Sequence, residues 1–262
     1  MKNRWKIGLL GKSLEHTSSP RLFQSIFESA GVKGHYEILP FETWSKASNF
    51  LTCGDANDFD GFNVTVPYKL DAARFCSDLT PVAQAVSAIN VLLPQADGQY
   101  QGHNTDREGF MNSIRPFLAS RHERALIIGR GGAAIAAASG LRDLGIEVVH
   151  LVRTLDATAA KQGRREWLLS DLRPEVVRAF LLIVQASPVG TWPEVNKAPD
   201  FLYDAVGRDH LCVDLVYNPA ETMFLKSCKI QGALVLNGLP MLEAQALASW
   251  EAFRFNRQVR GI

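Results

Sequence analysis

Residues 126–134 read Leu126-Ile127-Ile128-Gly129-Arg130-Gly131-Gly132-Ala133-Ala134. A short apolar run that meets glycines is a strand buried on both faces and stopped by a turn. An alanine-rich segment continues to Leu144, and a second apolar run, Val148-Val149-His150-Leu151-Val152, follows it. Strand, helix and strand in this order make a βαβ unit, which needs a parallel sheet covered by its crossover helix. The glycines fit the G-x-G-x-x-A form of the dinucleotide fingerprint. Gly129, Gly131, Gly132 and Ala133, with Arg130 among them, leave backbone N–H groups and the positive end of the helix accessible to a pyrophosphate. A tight turn whose small residues serve packing alone is the plainer alternative, and the strand-turn-helix setting favours the dinucleotide.

In such a unit the end of the second strand meets the ribose beside the adenine, where a carboxylate accepts a 2′-hydroxyl and a cation suits a 2′-phosphate. Here that strand ends Leu151-Val152-Arg153-Thr154. The Arg153 guanidinium and the Thr154 hydroxyl favour NADP, and nearby Asp156 keeps NAD as the alternative. Arg130 stays open between a pyrophosphate contact, a 2′-phosphate contact and a solvated charge.

The whole chain has 262 residues, which at about 150 per domain means one large domain or two modest ones. With 47% hydrophobic and 21% charged residues it reads as an ordinary globular protein. Twenty-eight basic against 27 acidic residues leave a net charge of +1, too small an excess to hold a nucleic acid or an anionic bilayer. Any bound anion needs a local site. No apolar run approaches the roughly 20 residues of a spanning helix, and Met1-Lys2-Asn3-Arg4-Trp5-Lys6 carries no signal-peptide core, so a cytoplasmic protein is expected. Cys53, Cys76, Cys212 and Cys228 form no CxxC pair, and the histidines form no HExxH, so reduced thiols and no metal are expected. Asp55 to Gly61 opens like a calcium loop, but Phe59 and Val66 occupy ligand positions, and it reads as a turn. Asn63-Val64-Thr65 is formally a glycosylation sequon inside a strand-like run, and no glycan is expected there.

Toward the N-terminus, apolar runs keep alternating with helical periods, the pattern of an α/β protein. Residues 5–10 read as a strand, 20–31 as an amphipathic helix behind Pro20, Tyr36 and Ile38 as a second strand, and 44–51 as a second helix. Phe62, Val64 and Val66 alternate with Asn63 and Thr65 in a third strand, so period two puts Asn63 and Thr65 on one face. Pro67 suits the first position of the next helix, with Lys69 in its first turn. Thr80-Pro81 opens another helix, 89–93 is a strand, Asp97-Gly98 is a hairpin turn into 100–103, and Asp106 starts a helix through Phe110 and Ile114. Beyond the βαβ unit, strand runs recur at 181–184, 211–216 and 233–236, before a last helix at about 241–255. Taken alone, Lys69 is a helix lysine and Asp106 a helix cap, and spacing does not bring them together.

Several stretches resemble the shikimate dehydrogenase family and its quinate/shikimate relatives. They are His16-Thr17-Ser18-Ser19-Pro20, Gly61-Phe62-Asn63-Val64-Thr65-Val66-Pro67-Tyr68-Lys69, Ala88-Ile89-Asn90 and Gly102-His103-Asn104-Thr105-Asp106. Past the glycine turn come Ala186-Ser187-Pro188-Val189-Gly190, Asp214-Leu215-Val216-Tyr217-Asn218-Pro219 with Glu221-Thr222, and Met241-Leu242 with Gln245-Ala246. The resemblance runs nearly end to end. It implies a two-domain α/β protein: an N-terminal α/β substrate domain at 1–104 and 239–262, and a Rossmann NADP-binding domain at 105–238. It also implies NADP-linked interconversion of 3-dehydroshikimate and shikimate on the chorismate route, by a monomer or homodimer acting on a small molecule.

By the same resemblance Lys69 and Asp106 are the catalytic pair. Hydride transfer to a carbonyl carbon leaves an alkoxide that needs a proton and a nearby positive charge, and an ammonium supplies both. Thr17, Ser19 and Tyr217 are implied on the substrate carboxylate, with Ser19 also a natural N-cap before Pro20. Asn63, Thr65, Asn90 and Gln245 are implied on ring hydroxyls. Ser187, Leu215 and Gly238 join Gly129, Arg130, Gly131, Gly132, Ala133, Arg153 and Thr154 around the cofactor.

Departures from the family pattern concentrate in the cofactor half. Arg130 stands where alanine is usual, Val152 where asparagine is, and Ala157 where a second basic residue is, so half the expected phosphate clamp is missing. Gln185, Thr191, Asn237 and Pro240 replace Asn, Met, Asp and Gly, and Thr17 replaces a serine. The alternatives are a quinate/shikimate dehydrogenase using NAD, whose substrate needs space near Thr17, and a non-catalytic ligand-binding regulator. Retention of both Lys69 and Asp106 argues against the regulator.

Overall fold

The computed structural model describes residues 4–15 and 17–261; Met1, Lys2, Asn3 and Ile262, and His16 at the head of the first family stretch, lie outside the described residues. The chain divides into two compact units, Met1–Gly109 with Glu243–Ile262, and Phe110–Leu242. The first crossing falls at 109/110 and not at 104/105, so Asp106 belongs to the same unit as Lys69.

Unit one runs through β1 (Arg4–Gly11), α1 (Ser19–Ser29), β2 (Lys33–Pro40), α2 (Trp44–Thr52), β3 (Gly61–Val64), α3 (Lys69–Phe75), β4 (Asp78–Leu79), α4 (Pro81–Val86), β5 (Val91–Pro94) and β6 (Tyr100–His103), and reaches the start of α5 (Asp106–Ile114). Its sheet has the order β2-β1-β3-β5-β6-β4. β1 is parallel to β2 and β3, whereas β5 is antiparallel to β3 and to β6, to which the Asp97-Gly98 turn joins it as a hairpin. One apolar cluster gathers Leu10, Phe62, Val64, Tyr68, Ile89 and Leu92, and another gathers Ile7, Phe23, Phe27, Val91, Trp250 and Phe253.

Unit two holds β7 (Arg124–Ile128), α6 (Gly132–Asp143), β8 (Glu147–Val152), β9 (Glu166–Leu168), α7 (Pro174–Ala179), β10 (Leu182–Gln185), β11 (Leu211–Asp214), α8 (Met223–Ile230) and β12 (Leu234–Leu236), and α9 (Leu239–Val259) closes the chain. All strand pairs here are parallel, in the order β12-β11-β10-β7-β8-β9. Counted from β7, this is the 3-2-1-4-5-6 order of a Rossmann sheet, whose direction reverses between β7 and β10. Ligands of such sheets bind outside the carboxyl ends of the strands at that reversal, where the glycine turn lies.

Some local expectations are corrected. β3 stops at Val64, and Val66, 66% exposed, does not continue its buried face. Pro67 is not the first helical residue: Tyr68 N–H donates to Thr65 O at 3.0 Å in a turn, and the helix begins at Lys69. Ser19 is not the N-cap of α1; Ser18 holds that position without a side-chain bond, and the Thr17 hydroxyl accepts the Ser19 N–H at 3.3 Å. β5 starts at Val91 and not at Ile89, although the main chain of Asn90 already bonds both flanking strands, donating to His103 O at 3.1 Å and accepting from Val64 N–H at 2.8 Å.

Asp214 ends β11 wholly buried, accepting Thr222 Oγ1 at 2.6 Å and Val216 N–H at 2.9 Å. Burial pushes its carboxyl up from the ordinary 3.8 to about 7, and the two hydrogen bonds oppose the rise. Between those values the folded chain holds a proton that the unfolded chain has lost. This contribution to stability is therefore complete near pH 4 and is lost as pH rises through about 7. Asp214→Asn is predicted to flatten that dependence: from pH 5 to pH 8 its urea midpoint falls less than the wild-type midpoint.

Candidate active site

Two chain connections in unit one deliver opposite charges to one point. The β3–α3 turn brings Lys69 in as the first residue of α3, and the β6–α5 connection brings Asp106 in as the first residue of α5. Lys69 Nζ lies 2.5 Å from Asp106 Oδ2, with the side chains 12% and 6% exposed. The Lys69 carbonyl accepts Ile89 N–H at 3.1 Å, which ties α3 to the segment carrying Asn90.

Asn90 organises the carboxylate side. Its Oδ1 accepts the Thr105 N–H at 2.8 Å. Its Nδ2 lies 2.8 Å from Thr105 Oγ1, 3.0 Å from Asp106 Oδ1 and 3.1 Å from Gln245 Oε1. An amide nitrogen has two N–H bonds, so three acceptors compete for two donors, and a ligand hydroxyl can satisfy the one left over. Thr105 Oγ1 lies 2.9 Å from Ser249 Oγ, and Ser249 donates to Gln245 O at 2.8 Å. Asn63 Nδ2 donates to Ser249 Oγ at 3.1 Å and to Asn90 O at 3.2 Å. Tyr36 Oη donates to Asn63 Oδ1 at 3.0 Å and is also hydrogen-bonded to Ser19. Burial pushes the Tyr36 phenol well above its usual range, so it stays a neutral donor. Thr17 Oγ1 donates to Ser19 Oγ at 3.2 Å. One hydrogen-bonded chain thus joins Thr17, Ser19, Tyr36, Asn63, Asn90, Thr105, Asp106, Gln245 and Lys69. The Thr65 main chain bonds Leu10 O at 2.9 Å, but its hydroxyl is not a member of this chain.

In unit two, Gly129 has φ +117°, which disfavours any side chain, and its carbonyl accepts His150 Nδ1–H at 2.8 Å. Burial lowers the His150 pKa, so the ring is a neutral donor from β8 that braces the loop. Gly131 caps α6 without a side-chain bond, and a Cβ built on it meets no atom within 4 Å. Open space beside bare first-turn N–H groups fits a pyrophosphate. Arg153 and Thr154 are exposed just past β8. Ser187 is fixed by Gln185, whose Oε1 accepts its N–H at 2.7 Å. A Cβ on Gly238 falls 2.2 Å from Leu215 O, so these two cofactor candidates meet through the glycine's missing side chain. Tyr217 belongs to unit two, apart from the chain of bonds in unit one. Among the described residues no cluster of His, Cys, Asp or Glu is suited to a metal, and no helix is long and apolar enough to cross a membrane.

A shikimate dehydrogenase (NADP(+)) of Carboxydothermus hydrogenoformans is 32% identical over 253 residues, covering 93% of this chain and 89% of that protein. The chain belongs to the shikimate dehydrogenase family. The family model of the shikimate dehydrogenase substrate binding domain matches residues 9–92. The crystal structure of shikimate 5-dehydrogenase from Thermus thermophilus, in complex with NADP(H) and shikimate, is 31% identical with a TM-score of 0.84, over 95% of this chain and 93% of that one. Quinate dehydrogenase from Corynebacterium glutamicum, in complex with NAD, shares the fold at 22% identity and TM-score 0.83, over 99% of this chain and 100% of that one.

In this shikimate dehydrogenase family member the sequence reading passed over Tyr36, Thr105 and Ser249. Tyr36 alternates like any strand residue, and its one signal is that the hydroxyl of a half-buried tyrosine requires a partner. Ser249 is a fully buried polar residue between Ala246 and Trp250 on the apolar side of α9. Ser249→Ala leaves one Asn63 amide N–H and the Thr105 O–H without their acceptor in the interior, and is predicted to cost about 1–3 kcal/mol. Urea unfolding checks this, with exposed Ser45→Ala as a control that stays within about 0.5 kcal/mol.

Proposed function

We propose that this chain is an NADP-linked shikimate dehydrogenase, which reversibly reduces 3-dehydroshikimate to shikimate on the chorismate route to aromatic amino acids. The observation that carries the reading is the Lys69–Asp106 contact of 2.5 Å, set within a network of neutral amides and hydroxyls. The relatives named for this reaction with NADP(+), and the Thermus thermophilus structure holding NADP(H) and shikimate, support it.

Bound NADPH supplies the hydride to the carbonyl carbon. The Lys69 ammonium lies beside the oxygen on which charge develops, stabilises it and donates the proton that makes the alcohol. Its own proton returns from solvent. Asp106 aims the ammonium through Oδ2 while Asn90 holds Oδ1, and Asn63, Thr65, Asn90 and Gln245 take ring hydroxyls. Thr17, Ser19 and Tyr217 bind the carboxylate with neutral donors, and the Tyr36 phenol steadies Ser19. Gly129, Gly131, Gly132 and Ala133 cradle the pyrophosphate, with Ser187, Leu215 and Gly238 on the nicotinamide side. The reading places a monomer or homodimer in the cytoplasm, with a small-molecule substrate and no nucleic acid.

Absorbance of reduced nicotinamide, followed with shikimate and quinate, each against NADP and NAD, tests this directly. Fastest turnover is predicted for shikimate with NADP; quinate with NAD as the faster pair, or tight ligand binding without turnover, overturns it. Lys69→Ala is predicted to lower kcat about 100- to 1,000-fold, the loss typical of an oxyanion donor. Near-normal turnover removes Lys69 from the mechanism.

A further inference from the structure

Arg130 stands in the glycine turn, and its guanidinium reaches just past the carboxyl end of β8. Nη1 donates to the Thr154 carbonyl at 2.8 Å and lies 3.6 Å from Glu166 Oε2. The Glu166 side chain is 2% exposed and is fixed in turn by Arg164 Nε at 3.3 Å and the Asp156 N–H at 2.9 Å. Arg164 also takes Asp156 Oδ2 at 2.6 Å. Both carboxylates near the strand end are therefore engaged by arginines, and Arg130, Arg153 and Arg164 together outnumber them. Two anchors make Arg130 more than a solvated charge, and they set it at the ribose end of the unit instead of over the pyrophosphate. A guanidinium has five N–H donors; the Thr154 bond uses one, and the side chain is 41% exposed, so donors remain for a ligand.

We infer that Arg130 and Arg153 together grip the 2′-phosphate of NADP, with Arg130 supplying from the glycine turn the second cation that this chain lacks at Ala157. The inference rests on the NADP reading above. A planar guanidinium engages two phosphate oxygens at once, which an ammonium does not. Glu166 is a positioning residue that keeps Arg130 turned to the strand end.

Calorimetric titration of the full chain with NADPH, NADH, 2′,5′-ADP and 5′-AMP tests this in the wild type, Arg130→Ala, Arg130→Lys and Arg153→Ala, with thermal melting to verify that each variant folds. The wild type prefers the phosphorylated member of each pair. Arg130→Ala loses about 10- to 100-fold in affinity for NADPH and 2′,5′-ADP, and less than about 3-fold for NADH and 5′-AMP. Arg130→Lys restores only part of the preference. Equal losses for all four ligands, or a preference that survives Arg130→Ala, overturn the inference and leave the NADP reading standing. A wild type that shows no preference, or binds neither dinucleotide, removes both.

Discussion

Lys69 and Asp106 meet at 2.5 Å with almost no access to water, and unit one is organised around making that meeting tolerable. Removing an ion from water costs several kcal/mol even after relaxation, and attraction between the partners offsets this only where further hydrogen bonds satisfy the remaining lone pairs. Asn90 does so on the Asp106 side. It is itself held at both ends, by the Thr105 N–H at Oδ1 and by main-chain bonds to His103 and Val64. The carboxylate therefore has a fixed orientation before any substrate arrives, which is the condition under which electrostatic stabilisation costs no reorganisation during reaction.

The same logic explains why so much of the surrounding network is neutral. Tyr36, Asn63, Thr105 and Ser249 donate and accept without adding charge, so the pair keeps the field to itself. Because α9 contributes Gln245 and Ser249, the C-terminal helix is part of the site as well as of the core beneath it. Unit two divides its labour differently. Its glycine turn is bare backbone, braced by a neutral histidine, and its charged groups gather at the end of β8.

Much of this was legible in the sequence because the relevant physics is local. The βαβ unit follows from apolar runs around a glycine turn, and the Rossmann order of unit two agrees with it. The hairpin at Asp97-Gly98 follows from turn chemistry. Residues 65–68 were misread because Val66 keeps the strand alternation by residue type, while the Tyr68–Thr65 hydrogen bond closes a turn there. β5 starts at Val91, two residues later than residue type suggests, although the Asn90 main chain bonds both flanking strands. Contacts between residues far apart in the chain, such as Asn63 with Ser249, have no local signature, and neither does the direction of the Arg130 side chain.

The central claim is that Lys69 and Asp106 act as one unit, and a double-mutant cycle in single-turnover reduction tests it most directly. If they are one unit, Lys69→Met combined with Asp106→Asn slows the step about as much as Lys69→Met alone. If the two losses multiply, each group acts separately and the coupled pair is refuted.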